Sequence, residues 1–412
     1  MATVAACLFT AGLLANTSVF PTGVTVNKPE FAYRTHVLFD GRDGKSHLID
    51  MSGREVRSWN YSGFPSMMID PGLIGGKRGH IFVQKDSLGG QGPALNRNTT
   101  VAELDWDGNV VWEWGERAPG GAASQNHDIA RLANGNTLMI SRIVHSIPGF
   151  SAPQTADQCI YEVTSAGEIA WKWLSSEHLM EMGFSGEALA MIRSGFSISN
   201  GRWGFLVIND MKPLGPNRWF DSGDSRFRPE NIMIDSREGN FTAIIEKKTG
   251  KIVWRIGPDY PDTGKSSHPR MFNHHVPRPV DQIAGQHDAH MIPEGLPGAG
   301  HVLVFDNQGS AGFPPAYLGE YFGSRILEID PLTKEIVWQY NAEDSGQPLW
   351  TFFSSFISSA RRLPNGNTLI CEGMNGRIFQ ITPQGEIVWE YVNPYFGMMA
   401  LGEKEVRTNL VY

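Results

Sequence analysis

The hydrophobic and polar positions of this chain recur in a short unit. An apolar run with alternating β-branched residues leads into a polar turn containing Asp, Thr or Gly, and a second apolar run follows with Trp near its end. Alternation of this kind around a turn that needs a positive φ predicts a β-hairpin. The unit occurs six times: LIDMSGREVRSW to Trp59, ELDWDGNVVW to Trp112, EVTSAGEIAW to Trp171, IIEKKTGKIVW to Trp254, EIDPLTKEIVW to Trp338 and QITPQGEIVW to Trp389.

A second predicted hairpin precedes several of these units. It is written as HDIARLANGNTLMIS from His127, AHMIPEGLPGAGHVLVFDN from Ala289 and ARRLPNGNTLIC from Ala360. Two hairpins make four strands, and four strands make one blade of a propeller. The sequence therefore predicts an all-β fold, a six-bladed β-propeller with four-stranded blades, in which residues 1–412 form a single domain. The six tryptophans are expected to be structural, each capping an apolar layer against the neighbouring unit.

Two longer intervals between the tryptophans predict loops inserted at the rim of the propeller, at about 175–228 and 258–284. The first contains the stretch 178–195, whose apolar spacing predicts one short helix. Residues 1–20 are apolar and predict either a leader peptide or a strand that closes the first blade. The terminal TNLVY is the alternative closing strand. Cytoplasmic and exported locations both stay open at this point.

Composition narrows the classes of partner. The chain is 41% hydrophobic, 19% charged and carries a formal net charge of -8, with no run of Lys or Arg. This balance excludes a nucleic-acid groove or an anionic membrane surface as the expected partner, because both require a basic patch. No segment beyond the first twenty residues is apolar for long enough to span a membrane, so we expect a soluble protein. The three cysteines are far apart and predict no disulfide framework.

Several of these segments together resemble the arylsulfotransferase family, six-bladed propellers that include the PAPS-independent aryl-sulfate sulfotransferases. The resemblance rests on GVTVNKPEFAY, HLIDMSGREVRSW, NHDIARLANGNTLMIS, GQHDAHMIPEGLPGAGHVLVFDN and LPNGNTLICEGMNGRIFQITPQGEIVWEY, and extends from about residue 23 to 395. It implies transfer of a sulfuryl group between phenols through a transient sulfohistidine, without a required cofactor. The stretch QHDAHMIP with the following VLVFDN gives His287 the role of nucleophile.

The resemblance is incomplete at two other histidines that the family places in its funnel. One would open an inner strand ahead of an Asn, where this chain reads LVINDMKPLG without a His. The other would follow a Ser-Arg pair, where Glu238 follows Ser236 and Arg237. The substrate and the reaction are therefore not fixed by the resemblance alone.

Two histidines are the main candidates for chemistry. Inner strands of a propeller begin at one mouth of its central channel, so His127 and His287 are expected to face a shared funnel from the third and fifth blades. Two imidazoles could act as nucleophile and general acid or base. They could also ligate a divalent metal together with another group such as His275. The structural alternative is that each His-Asp pair satisfies backbone groups at a turn, with Asp128 and Asp288 accepting amide hydrogen bonds.

The remaining candidates concern substrate binding. Arg142 and Arg237 follow second strands and could bind an anionic group, although ion pairing within the protein explains them as well. Glu372 could supply a carboxylate near the channel, or satisfy a turn. Trp203 and Phe353 lie outside the repeat and could form a wall against an aromatic substrate. His275, on the predicted rim, could also contact the substrate.

Three functions stay open at the level of the sequence. The first is an arylsulfotransferase-like enzyme acting on a small, aromatic substrate in the funnel. The second is metal-assisted or acid/base lyase or hydrolase chemistry on the same propeller. The third is a non-catalytic propeller that binds a small molecule or a protein at its rim. The sequence does not decide the oligomeric state.

Overall fold

The computed structural model describes residues 21–85, 98–197, 204–258, 283–315, 323–401 and 404–412. Strands dominate it. In the first half they are β1 Gly23–Asn27, β2 Val37–Asp40, β3 Ser46–Ile49, β4 Glu55–Trp59, β5 Ser62–Met68, β6 Ile81–Gln84, β7 Val101–Leu104, β8 Val110–Trp114, β9 Ile129–Arg131, β10 Thr137–His145, β11 Thr155–Val163 and β12 Ile169–Leu174.

The described residues of the second half contribute fourteen further strands. They are β13 Ile208–Pro213, β14 Ile232–Ser236, β15 Phe241–Ile245, β16 Ile252–Ile256, β17 His287–Met291, β18 Val302–Asp306, β19 Arg325–Ile329, β20 Ile336–Tyr340, β21 Ser358–Arg362, β22 Thr368–Glu372, β23 Arg377–Ile381, β24 Ile387–Val392, β25 Gly397–Leu401 and β26 Lys404–Thr408.

Helices are short and lie between strands. The α-helices in the described ranges are α1 Gly186–Arg193 and α2 Arg218–Asp221. The 3-10 helices are Pro71–Ile74, Pro119–Gly121, Ser175–Glu177, Leu179–Met182, Ser225–Phe227, Ala342–Ser345, Leu349–Thr351 and Gly373–Asn375. The predicted helix over 178–195 is thus a 3-10 turn followed by α1, whose first turn is capped by the Ser185 side chain accepting from the Ala188 N–H.

The strands form six antiparallel blades, as the sequence predicts. Blades two to five have the orders β5-β6-β7-β8, β9-β10-β11-β12, β13-β14-β15-β16 and β17-β18-β19-β20. Blade six, β21-β22-β23-β24, gains β1 as a fifth strand at its outer edge. Blade one has three strands, β2-β3-β4. β25 and β26 form a separate hairpin. The chain is therefore a six-bladed β-propeller.

Ring closure brings the two ends of the described chain to blades one and six. β1 pairs with β24, with Gly23 opposite Val392. Residues 409–412 lie along the free side of β2, where the Asp40 N–H donates to the Tyr412 carbonyl at 2.9 Å. They occupy the innermost position that the first strand fills in the other blades. This bond agrees with the TNLVY alternative for closing the first blade, but residues 409–412 form no strand and the alternative stays a prediction, while residues 1–20 lie outside the described residues.

A ring of tryptophans joins each blade to the next, because each indole N–H donates to a carbonyl in the hairpin turn of the following blade. The pairs are Trp59 with Asp105, Trp114 with Gly167, Trp173 with Gly250, Trp254 with Pro331, Trp338 with Pro383 and Trp389 with Met51. In blades two and three the donor is therefore not Trp112 or Trp171, which the repeat singles out. It is the Trp two residues later, while Trp112 and Trp171 are only partly buried.

The apolar core lies between blades. The largest cluster, for example, joins Ile140 and Ile160 of blade three to Ile232 and Ile234 of blade four. Each blade thus buries one face against each neighbour, which is the packing that repeating hairpins need. In the described residues, no helix is long and apolar enough to cross a membrane. The predicted insertion at 175–228 contains α1 and α2 but also β13, the innermost strand of blade four. Most of the insertion at 258–284 lies outside the described residues.

We expect Trp389→Phe to destabilise the propeller by about 2–4 kcal/mol, since it leaves a cavity and removes the donor to a turn carbonyl. Trp389 is fully buried, and its indole N–H bonds the Met51 carbonyl at 2.8 Å across the closing blades. Urea unfolding would measure the loss. The control is Trp350→Phe, at a side chain that is 67% exposed, which we expect to change stability by less than about 0.5 kcal/mol. Equal shifts for the two variants would contradict this role of the ring.

Candidate functional site at the channel mouth

The innermost strands begin at one end of the central channel, which we call the channel mouth. The first residue of each of these strands pairs with a residue at the end of the second strand of the same blade. The pairs are Ser62 with Gln84, His287 with Phe305 and Ser358 with Glu372. His127 lies two residues before the start of β9 in blade three, and the Tyr412 carbonyl accepts from the N–H of Asp40 at the end of β2 in blade one. The channel mouth is therefore lined by residues that are distant in sequence but equivalent in the blades.

His127 is buried at the channel mouth, where its ring contacts the aromatic rings of Phe64 and Tyr412. Its ring lies 4.8 Å from that of Phe64, and its Nδ1 is 3.5 Å from the Tyr412 hydroxyl. Its backbone has the left-handed φ of 54°, which turns the chain into β9. Burial lowers the pKa of His127 to about 3, Asp128 opposes this, and the charge of Arg237 adds to it. The imidazole is therefore neutral at pH 7.

His287 is held by hydrogen bonds at both ring nitrogens. Its Nδ1 lies 2.8 Å from Asn307 Oδ1 and 3.2 Å from the Gly285 carbonyl. The Ile357 N–H of blade six donates to Nε2 at 3.2 Å. Two acceptors at Nδ1 and a donor at Nε2 fix the tautomer, with the proton on Nδ1 and the lone pair on Nε2. Burial, followed by Arg237 and His127, lowers the pKa of His287 to about 3.

The Ile357 amide that faces His287 has an unusual backbone. Ile357 has φ 45°, which a β-branched residue rarely adopts. The Ser354 hydroxyl donates to its carbonyl at 2.9 Å and helps to hold the turn. The orientation of this N–H toward the imidazole is thus maintained by surrounding contacts against a local conformational cost.

Arg237 contributes, through its charge, to the lowered pKa of both histidines. It follows β14 in blade four, between the blades that carry His127 and His287. Its guanidinium lies deep in the protein yet keeps part of its surface accessible, as expected in a channel wall, and burial lowers its pKa. Within the described part of the chain its Nε has no hydrogen-bond partner and no carboxylate lies within ion-pair distance. The predicted ion pair of Arg237 is thus not found among the described residues, and its binding of an anion stays a prediction.

Aspartates on the innermost strands join neighbouring blades beneath the channel mouth. Asp128 Oδ2 accepts from the Met211 N–H of blade four, and Asp288 Oδ2 accepts from the Ala360 N–H of blade six. Asp210 of blade four accepts from the Asp288 N–H of blade five. Asp128 and Asp288 thus accept backbone amides, as the structural alternative expects, but not at the turns where that alternative placed these bonds. Each carboxylate bonds the next blade rather than its own turn.

Charges among these aspartates are balanced locally. Lys212 Nζ lies 2.6 Å from Asp128, and Arg361 lies 2.6 Å from Asp288. Burial raises the pKa of Asp210, and repulsion from Asp128 and the other carboxylates adds to the rise. Burial likewise raises the pKa of Asp235 well above its ordinary value and that of Asp288 to about 6. Among the described residues, none of these aspartates forms an ion pair with Arg237, and the charge of Glu238 partly opposes the lowering of the Arg237 pKa.

The other predicted site residues have different surroundings. Arg142 lies within β10 opposite Gln158, and burial lowers its pKa. Glu372 is fully buried and accepts from the Phe353 N–H, the Asn375 amide and Arg377, all in blade six or its preceding loop. Phe353 itself is half-buried. Substrate binding by these three residues stays a prediction, and Trp203 and His275 lie outside the described residues.

A metal site requires a third ligand near the two histidines. In the ranges that the structure describes, no group of three or more His, Cys, Asp or Glu side chains is arranged to hold a metal ion. The remaining candidate ligand, His275, falls outside those ranges. A site for a divalent metal formed by His127, His287 and His275 therefore stays a prediction.

Sequence reasoning missed three features of the channel mouth. Phe64 and Tyr412 stand beside His127, although neither belongs to a motif. Asn209 stands at the blade-four position equivalent to the histidines, and its amide donates to the Gln286 carbonyl at 3.3 Å. One signal was present: the dipeptide Asn-Asp at 209–210 parallels the His-Asp pairs that open the inner strands of blades three and five.

Fold and site together define a class: a six-bladed propeller whose channel mouth holds two neutral imidazoles beside an unpaired guanidinium. The family model for arylsulfotransferase (ASST) matches residues 31–398. The chain belongs to the arylsulfotransferase family. The curated proteins contain no match to it.

Solved structures with similar chains have low sequence identity. One is a protein of unknown function from Bacteroides caccae, 14% identical with a TM-score of 0.47, covering 87% of this chain and 93% of that chain. A streptogramin B lyase is 14% identical with a TM-score of 0.42, covering 94% and 89%. Kuenenia stuttgartiensis hydrazine synthase is 10% identical with a TM-score of 0.43, covering 86% and 82%. At this level the similarity carries no argument about function.

Proposed function

We propose that the chain transfers a sulfuryl group from an aryl sulfate to a phenol at the channel mouth, with His287 as the nucleophile and His127 as the assisting base. The proposal rests mainly on Arg237. In the described residues its guanidinium has no ion pair, and it lies in the blade between the two that hold neutral imidazoles. Buried cations are ordinarily paired with carboxylates, and an unpaired one suits a site that receives an anion from outside. Membership of the arylsulfotransferase family supports the same chemistry.

The tautomer of His287 supports a nucleophilic role. With Nδ1–H donating to Asn307, the lone pair is on Nε2, as attack on sulfur requires. That lone pair accepts the Ile357 N–H in this structure at 3.2 Å. Attack exchanges this hydrogen bond for the bond to sulfur, and the strained backbone of Ile357 lowers the cost of releasing it. The low pKa keeps the imidazole unprotonated in the free protein.

Arg237 supports binding of the sulfuryl oxygens. A guanidinium donates several N–H groups in one plane, which matches the oxygens of a tetrahedral anion. Donors fixed before the reaction stabilise the charge that develops in the transition state without reorganising. A bound anion between the two histidines would also raise the pKa of each, because a negative charge favours the protonated form. His127 would thereby become a better base for the acceptor phenol once a sulfuryl group is present.

The second candidate function is binding of an anionic aromatic compound without chemistry. It is favoured by the two hydrogen-bonded ring nitrogens of His287, which suit a residue that joins blades five and six. Metal-assisted or acid/base lyase or hydrolase chemistry remains the other enzymatic alternative. The proposed transfer itself uses no cofactor, and its partner is a small aromatic molecule.

The test is a two-substrate assay with 4-nitrophenyl sulfate as donor and a phenol as acceptor. We expect release of 4-nitrophenol that depends on the acceptor and yields one aryl sulfate per nitrophenol. Incubation with the donor alone, followed by alkaline quench and mass analysis of peptides, should place a sulfuryl group on His287. Binding of the donor without turnover would support the second candidate. Stoichiometric bound metal together with metal-dependent cleavage would support the lyase or hydrolase alternative.

A further inference from the structure

Tyr412 is fixed at the channel mouth by the segment that precedes it. Leu410 and Val411 are buried, and Val411 packs with Val37 and Phe39 in the cluster between blades one and six. The Val411 N–H donates to the Gly373 carbonyl, and the Asp40 N–H to the Tyr412 carbonyl. The position of the phenol is therefore set by main-chain bonds to both neighbouring blades.

The phenol of Tyr412 forms part of an aromatic side of the channel mouth. Its ring lies 5.1 Å from that of Phe64 in an edge-to-face arrangement, and its hydroxyl lies 3.5 Å from His127 Nδ1. The side chain is only partly buried, so it borders the open channel. Burial and the neighbouring aspartates, Asp210 first, raise its pKa well above the ordinary value. The hydroxyl therefore stays protonated and is available as a hydrogen-bond donor.

The contact with His127 brings the Tyr412 hydroxyl to the side that faces His287. Tyr412 belongs to blade one and His127 to blade three, so a hydroxyl 3.5 Å from His127 Nδ1 reaches in front of blade two. Blades two and five face each other in a six-bladed ring, and Tyr412, Phe64 and His127 line blades one to three. A group attacked by His287 from blade five would expel its leaving oxygen toward that side, since attacking and leaving atoms are in line in this kind of displacement. Arg237 in blade four then stands beside the sulfuryl oxygens.

We propose that the Tyr412 hydroxyl donates a hydrogen bond to the aryl oxygen that leaves the sulfate donor. The inference rests on the proposed sulfuryl transfer. His287 Nε2 forms a bond to sulfur with its lone pair, and the bond between sulfur and the aryl oxygen breaks with its electron pair passing to that oxygen. Tyr412 stabilises the resulting phenolate without losing its proton. In the second half, the acceptor phenol gives its proton to His127 and forms the new oxygen–sulfur bond as the nitrogen–sulfur bond breaks.

The test compares Tyr412→Phe with the unchanged chain on a series of aryl sulfates, from acidic nitrophenols to unsubstituted phenol, whose pKa is about 10. A donor to the leaving oxygen matters most when that oxygen is most basic. We therefore expect about a 100-fold loss of kcat/KM for phenyl sulfate and less than about 10-fold for 4-nitrophenyl sulfate. The dependence of rate on leaving-group pKa should become steeper. Tyr395→Phe is the control, because its hydroxyl bonds Glu55 away from the channel.

A second variant keeps the inference testable if Tyr412→Phe fails to fold. Replacing Tyr412 by 3,5-difluorotyrosine keeps the ring and makes the hydroxyl a stronger donor, so the dependence on leaving-group pKa should become shallower. An unchanged dependence in both variants overturns the inference and leaves the proposed function intact. Sulfation of Tyr412 during turnover would also overturn it, because the residue would then be an acceptor. Absence of transfer from every aryl sulfate by the unchanged chain overturns the proposed function and this inference together.

Discussion

Replacing His287 by glutamine is expected to lower sulfuryl transfer by at least about 10³-fold while the propeller stays folded. Glutamine offers an amide oxygen to the Ile357 N–H and an amide N–H to Asn307, the two partners of the imidazole. It cannot carry a sulfuryl group as an imidazole nitrogen does. The variant therefore separates the nucleophilic role of His287 from its role in joining blades five and six.

The measurements for His287→Gln are kcat/KM with 4-nitrophenyl sulfate and the midpoint of thermal unfolding. His80→Gln is the matched control: it too is a buried histidine with a hydrogen bond at Nδ1, to Glu103, but it lies at the far end of the blade from the channel mouth. We expect its activity to stay within about threefold of the unchanged chain. Retention of most activity in His287→Gln would rule out His287 as the nucleophile.

The pH dependence of the unchanged chain gives a second check on His287. Its pKa of about 3 in the free protein is lowered by burial and by Arg237. The neutral imidazole is the reactive form, so kcat/KM should be independent of this group above about pH 5 and fall only in stronger acid. An ionisation near the ordinary value of histidine would contradict the buried, neutral state described for this residue.

The fold could be predicted from the sequence because every copy of the repeat carries the same signals for a β-hairpin. Each copy pairs alternating apolar residues with a turn, and six copies require six blades. The exact tryptophan was harder to predict. Trp112 and Trp114 both end the same strand, and only packing decides which indole reaches the next turn. Closure by Tyr412 was one of two alternatives, since apolar residues at either end of the chain could have filled the same position.

The candidate site could be predicted only in part. His127 and His287 could be predicted as neighbours because the first residues of the innermost strands of a propeller converge at one mouth of its channel. The lack of an ion pair at Arg237 among the described residues could not be predicted, since whether an arginine is paired depends on which carboxylates the fold brings near it. Lys212 and Arg361 have aspartate partners, while Arg237 has none among the described residues. Tyr412 and His127 are 285 positions apart, and no local pattern connects them.

Arg237→Met is expected to lower kcat/KM by about 10²–10³-fold and, at the same time, to leave the protein at least as stable as the unchanged chain. The loss of activity follows from removing fixed donors to the sulfuryl oxygens. The effect on stability follows from burial: the guanidinium is taken from water, burial lowers its pKa, and no ion pair among the described residues compensates the cost. Methionine fills a similar volume without a charge.

The control for Arg237→Met is Arg377→Met, which removes a buried arginine that is paired. Arg377 contacts Glu372 at 3.0 Å and Glu390 at 2.5 Å, so its loss leaves two buried carboxylates without their cation. We expect a loss of stability of about 3–5 kcal/mol in that variant.

Thermal unfolding of both proteins, together with the aryl sulfate assay, distinguishes a structural role of Arg237 from a role in binding the sulfuryl group. If Arg237→Met were destabilised like Arg377→Met, the guanidinium would be a structural group. If instead the variant were stable and fully active, the anion would bind elsewhere. Only a stable protein with impaired transfer agrees with a cation that is kept unpaired to receive the sulfuryl group.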